Sequence, residues 1–233
     1  RLVLRNPERS IDNVRWSADG RWLLVLQDSG GDEGYHLFRI DPDAPGSTRD
    51  LTPFAGANAE IVRTPAGQAG PLLLTINRRD PEYADVYAVD PEAGTVREVL
   101  RNDAGYTEFF ADRSGVVRAA GRIMPDGSLE LWGRVEADGG FVRLYAAPAT
   151  ERFKILGIHA DGQSVILRSN REGDIERAML IVIETLTSGC RAISTGKRPI
   201  DLNPLWRRTI ERSIFAPVSS EAAAAISRLV TEP

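Results

Sequence analysis

Four glycine-centred turns recur along the chain at nearly equal intervals: WSADGRW around Gly20, TPAGQAG around Gly67, DRSGVV around Gly115 and HADGQSV around Gly162. Their spacings are 47, 48 and 47 residues. An internal period of this length constrains the fold more than any composition does, because each repeat must be one supersecondary unit that buries its apolar face on a neighbour. An apolar segment precedes each turn and a β-rich run follows it: WLLVL, PLLLTI, VVRAAGRI and SVILRS. A third strand recurs in step (HLFRID, DVYAVD, LELWGRV, MLIVIE), with Ile40, Val89, Val135 and Ile183 lying 49, 46 and 48 residues apart. A fourth follows at RDLTP, VREVL, FVRLYA and CRAIST, reached through Asp-, Gly-, Pro- and Ser-rich links of the kind tight hairpins need.

Four short antiparallel strands per repeat make one propeller blade, and known blades are of this length. The expected fold is therefore an all-β propeller of four-stranded antiparallel blades. Its whole blades fall at 7–53, 54–102, 103–148 and 149–197. RLVLRN at 1–6 takes the place of a fourth strand, since VLRN recurs at Val99 to Asn102, and 198–218 reads as a partial blade. A short helix is expected over 219–230, where serine precedes an alanine run. This count suits a slice of a larger ring, about seven-bladed, better than a closed five-position ring, because the trailing half-blade lacks a convincing third strand.

The chain has 29 Lys and Arg against 33 Asp and Glu, a formal charge of −4, which speaks against a phosphate-tracking protein. No run approaches the roughly 18 to 20 apolar residues of a membrane-spanning helix. The chain starts at Arg1 without an apolar signal core, so cytoplasm is the default expectation for a chain whose ends look trimmed. The single cysteine, Cys190, cannot form an internal disulfide and lacks an activating partner.

Loops held by a rigid scaffold carry function more often than the scaffold does. The first and third turns read as minimal, whereas the second turns, QDSGGDEGY, NRRDPEYAD, RIMPDGS and SNREGDIER, read as longer and charged. They form the candidate interaction face, led by Asp28, Asp32, Glu33, Arg78, Arg79, Asp80, Arg171, Glu172 and Asp174. Asp28, Asp32 and Glu33 do not follow the alternating ligand pattern of a calcium loop, so no metal is assigned. No cofactor is assigned either, because there is no Gly-rich phosphate loop and no Cys/His ligand spacing. No catalytic residue is assigned: GQSVI at Gly162 fails the nucleophile-elbow pattern, and His36 and His159 read as structural imidazoles at strand ends. The tryptophans read as core packing between sheets.

The run RWSADGRWLLVLQDSGGDEGYHLFRIDPDAPGSTRDLTPFAGANAEIV, with its W-S-x-D-G, Q-D-x-G-G-D-E and R-D-L-T-P strings, resembles the propeller of bacterial serine peptidases of the prolyl oligopeptidase family, of the acylaminoacyl or dipeptidyl peptidase kind. NRRDPEYADVYAVDPEAGTVREVL is similar to the next blade of those enzymes. The likeness spans roughly residues 7 to 195 and is strongest over 11 to 100. Isolated Asp-Gly turns are less specific, since TolB-type propellers share them. What the resemblance implies is a propeller that restricts peptide entry to an adjoining α/β-hydrolase domain, which this chain does not carry. The implied partners are that domain, in cis, and short peptides. A stand-alone propeller binding a protein partner, and a propeller enzyme with acids in its channel, are the rival readings.

Overall fold

A computed structural model describes residues 12–28, 34–44, 46–63, 70–171 and 173–183. The leading strand at 1–6, the fourth strand at CRAIST, the partial blade at 198–218 and the helix at 219–230 lie outside the described residues, as does the turn around Gly67.

Every described element is a β-strand. Blade 1 comprises β1 (Asp12–Trp16), β2 (Leu23–Asp28), β3 (Tyr35–Ile40) and β4 (Thr48–Asp50). Blade 2 comprises β5 (Ala59–Arg63), β6 (Leu72–Ile76), β7 (Asp85–Val89) and β8 (Val96–Leu100). Blade 3 comprises β9 (Glu108–Ala111), β10 (Val117–Ile123), β11 (Leu129–Gly133) and β12 (Val142–Ala147). Blade 4 is described through β13 (Phe153–Ile158), β14 (Ser164–Ser169) and β15 (Arg177–Val182). Within each blade the strands pair antiparallel in chain order, a simple meander. The expected all-β propeller architecture is the architecture found.

The repeated glycines explain the first hairpin of each blade. In blades 1, 3 and 4 the carbonyls of Ser17, Asp112 and His159 accept from the N–H of Gly20, Gly115 and Gly162 at 2.9, 3.1 and 3.0 Å. The three glycines have φ of 71, 81 and 69°, the left-handed region that a Cβ disfavours. Acidic side chains complete the turn. Asp112 Oδ1 accepts from the N–H groups of Ser114 and Val116, and Asp161 Oδ1 from those of Gln163 and Ser164.

Each pairing of a first with a second strand carries a one-residue register shift: between Asp12 and Val14, Ile61 and Arg63, Val117 and Ala119, and Ile155 and Gly157. Such bulges sharpen strand twist. In blades 1, 2 and 4 the extra residue lies on the first strand, and in blade 3 on the second.

The middle strands are buried on both faces. β7 is buried at all its positions and β14 at all but Arg168, whereas the outer β8 is largely exposed. Burial on both faces accounts for the continuous apolar runs LLVL, LLLTI and SVIL, where a sheet wetted on one side would alternate.

The chain divides into two compact units at Gly105/Tyr106, with blades 1 and 2 in the first and blades 3 and 4 in the second. In the first unit Leu24, Leu26 and Leu37 of blade 1 pack on Leu72, Leu74, Ile76, Tyr87 and Val89 of blade 2. In the second, Ala119 and Leu131 of blade 3 pack with Ile155, Val165, Leu167, Met179 and Ile181 of blade 4. Burying one such aliphatic side chain contributes about 1.5–3 kcal/mol.

Two features depart from the sequence reading. The third turns are not minimal: residues 134–141 in blade 3 are as long a connection as the second turn at 77–84, and blade 3's own second turn is the short hairpin 124–128. Trp16 is 53% exposed at the end of β1 and is not a core residue, whereas Trp22 packs against the first core.

Candidate interaction face on the second turns

The second turn of blade 2, residues 77–84, contains the most highly ordered group of the sequence-selected residues. Arg79 reaches back to the first residue of β7, where Nε and Nη2 donate to the two carboxylate oxygens of Asp85, both at 2.7 Å. Asp85 is fully buried and also accepts from the Asn102 N–H at 2.7 Å. Asn102 Nδ2 donates to the Ala84 carbonyl, and Arg79 Nη2 to the Asn102 carbonyl. The loop is thereby tied to the link that leaves the blade. Burial by itself would push the Asp85 carboxyl up. The Arg79 hydrogen bond, the Asn102 N–H and the charges of Arg79 and Arg101 outweigh it and hold Asp85 below the ordinary carboxylate range.

Arg78 turns the other way. Its guanidinium lies 4.6 Å from the Phe54 ring and 4.8 Å from the Tyr87 ring, joining the link before blade 2 to the body of the sheet. Asp80 Oδ1 accepts from the N–H groups of Glu82 at 2.9 Å and Tyr83 at 3.3 Å, closing the loop on itself.

In the second unit the corresponding loop, 170–176, is fastened by different residues with the same logic. Arg171 lies over the Tyr145 ring at 5.2 Å, and its N–H donates to Ser169 Oγ. Glu151 accepts from Ser169 Oγ and, at 2.7 Å, from the Tyr145 hydroxyl. Burial and the Glu151 carboxylate push the Tyr145 phenol up to about 12. Arg152 donates to the Asp174 carbonyl and to the Glu176 carboxylate, while the Asp174 side chain stays exposed.

Arg78, Arg79 and Asp80 are thus brought together in one loop, and Arg171 and Asp174 in another. Asp28 is buried at the end of β2. Asp32, Glu33 and Glu172 lie outside the described residues. Arg79 and Arg171 make contacts that hold their loops in place. Their partners, Asp85, Asn102 and Glu151, are absent from the sequence-derived set. The available signal was an acid at the start of an otherwise apolar strand, DVYAV, which a stable sheet tolerates only with a fixed partner.

Each histidine lies beside a carboxylate. His36 Nδ1 is 2.7 Å from Asp50 Oδ2, and Asp50 in turn accepts from the Thr52 N–H. His159 Nδ1 is 2.9 Å from Asp161 Oδ2 inside its turn. Among the described residues no three His, Cys, Asp or Glu side chains are grouped to hold a metal ion.

Repeated antiparallel blades of this kind define a β-propeller. No family model matches the chain. It is 31% identical over 173 residues to dipeptidyl aminopeptidase BIII of Pseudoxanthomonas mexicana, covering 73% of this chain and 25% of that protein. It is also 24% identical over 101 residues to the Tol-Pal system protein TolB of Francisella tularensis, covering 43% and 22%. The chain therefore spans about a quarter of the length of the curated relatives it matches. Among solved structures, a prolyl endopeptidase superposes with a TM-score of 0.52 at 14% identity, covering 73% of this chain and 24% of that one. A putative TolB from Agrobacterium tumefaciens superposes with a TM-score of 0.51 at 18% identity, covering 78% and 61%. At such identities these two structures establish the propeller fold alone. Kinship to the aminopeptidase, added to the WSADG, QDSGGDE and RDLTP strings, places the chain among the β-propeller domains of the prolyl oligopeptidase family.

Proposed function

We propose that the chain is the non-catalytic propeller portion of a serine peptidase of this family, filtering peptide access to an α/β-hydrolase domain and docking on it. The observation that supports this most directly is the 31% identity to a dipeptidyl aminopeptidase. The fastened second turns suit the role, because a filter works by holding an opening at fixed size, and Arg79 and Arg171 remove freedom from the loops that would border one. No residue of this chain is assigned to bond cleavage.

Incubating the 233-residue chain with chromogenic dipeptide amides is expected to give no turnover. The gene beyond Pro233 is expected to encode a G-x-S-x-G element, and its full product is expected to cleave short peptides while sparing folded proteins. A product that lacks that element, or that cuts folded proteins equally well, sinks the reading.

A scaffold that grips a protein partner is the second reading. The match to TolB of Francisella tularensis favours it. A gene that encodes only the propeller, with a protein recovered in a stable stoichiometric complex, would decide for it.

A further inference from the structure

The second and third strands of blade 3 begin their ladder with Ala119 opposite Gly133. One step outside that pair Arg118 faces Arg134, joined by a backbone hydrogen bond from the Arg134 N–H to the Arg118 carbonyl at 2.9 Å.

Among the described residues the two guanidiniums have one paired carboxylate between them. Arg118 Nε donates to Asp112 Oδ2 at 2.6 Å, and its Nη1 to the Val135 carbonyl. That satisfies Arg118 and Asp112. Arg134 is only 8% exposed, yet among the described residues its guanidinium makes one hydrogen bond, from Nε to the Val117 carbonyl at 2.8 Å. Its guanidinium rests 4.9 Å from the Phe141 ring. No carboxylate of the described residues pairs with it, and its Nη amines have no acceptor among them. Burial, and then the like charge of Arg118, work against the Arg134 charge, while Asp138 in the exposed loop 134–141 favours it only at a distance. A buried guanidinium stacked on a ring, with its fork unmatched, is arranged to receive a planar anion.

We propose that Arg134, backed by Arg118 and Phe141, is a carboxylate-binding residue at the end of blade 3 opposite its second turn. The site goes beyond the filtering role and stands whether or not that reading holds.

Sodium succinate, added to the 233-residue chain at constant ionic strength, tests it through thermal unfolding and titration calorimetry. A saturable rise in Tm with a one-to-one heat is expected. Affinity should fall about tenfold or more in Arg134→Gln, since hydrogen bonds to charged groups are strong. Arg134→Lys, which keeps the charge but not the fork, should also weaken binding and covers the case in which Arg134→Gln does not fold. The double variant Arg118→Leu, Arg134→Val replaces both charges by aliphatic side chains. It should melt higher than the parent without succinate and show no response to it. Equal responses in parent and Arg134 variants, or none in the parent, overturn the proposal. So does a response that emerges only in Asp138→Asn, which would make the chain's own loop the occupant.

Discussion

Arg79 keeps 28% of its side chain exposed while Asp85 is wholly buried, so the two ends of this ion pair are not equivalent. Removing Arg79 leaves the buried carboxylate with the Asn102 N–H, a long 3.5 Å contact from the Tyr87 hydroxyl and the Arg101 charge, and Arg79→Met is expected to cost about 3 kcal/mol in urea unfolding at pH 7. The pH dependence follows from the lowered Asp85 value. A depressed carboxylate contributes stability above its unfolded pKa and loses it as pH falls through its folded value, so the native pair weakens from about pH 4 downward. In Arg79→Met burial meets only the Asn102 N–H and the Arg101 charge, Asp85 titrates higher than in the parent, and acidification relieves part of the defect. The stability gap between parent and variant should therefore narrow between pH 7 and pH 4. A gap that is constant or widens would show that the Arg79 charge is not what holds Asp85 ionised.

Hairpins carry the repeat, and their chemistry is local. Gly20 has φ of 71° with nothing within 4 Å of where a Cβ would stand. Gly20→Ala should therefore lose only the backbone preference, about 1 kcal/mol. Gly133 is the opposite case. Its backbone is not left-handed, but an added Cβ would lie 2.5 Å from Leu144 Cδ1 inside the second core. Gly133→Ala should cost about 1–3 kcal/mol by overpacking, and pairing it with Leu144→Ala should recover part of the loss. Chemical denaturation of the single and double variants measures both. The Asp-Gly turns were legible in the sequence because their geometry depends on four consecutive residues. Loop length was not, because strand ends are set by cross-strand pairing, and 134–141 proved as long as the second turn it was contrasted with.

The two cores share no residue: one is centred on Leu74 and the other on Leu167, each at 0% exposure. Leu74→Ala and Leu167→Ala should each cost about 2–5 kcal/mol, and the double variant should lose the sum, as expected for sites without common partners. A double-variant loss well short of the sum would mean that the two units answer for each other's packing. The sequence by itself determined the period, the four-strand meander, the apolar runs of the middle strands and the family resemblance. All of these rest on residues near one another in the chain or on repetition of a local pattern. Only the tertiary structure decided what the charged residues do. That Arg79 fastens a loop through Asp85, that Arg171 lies on Tyr145, and that Arg134 is buried opposite Arg118 are consequences of register and burial. A charge is wet or buried, paired or unmatched, according to what distant strands bring beside it, and spacing along a single chain does not encode that.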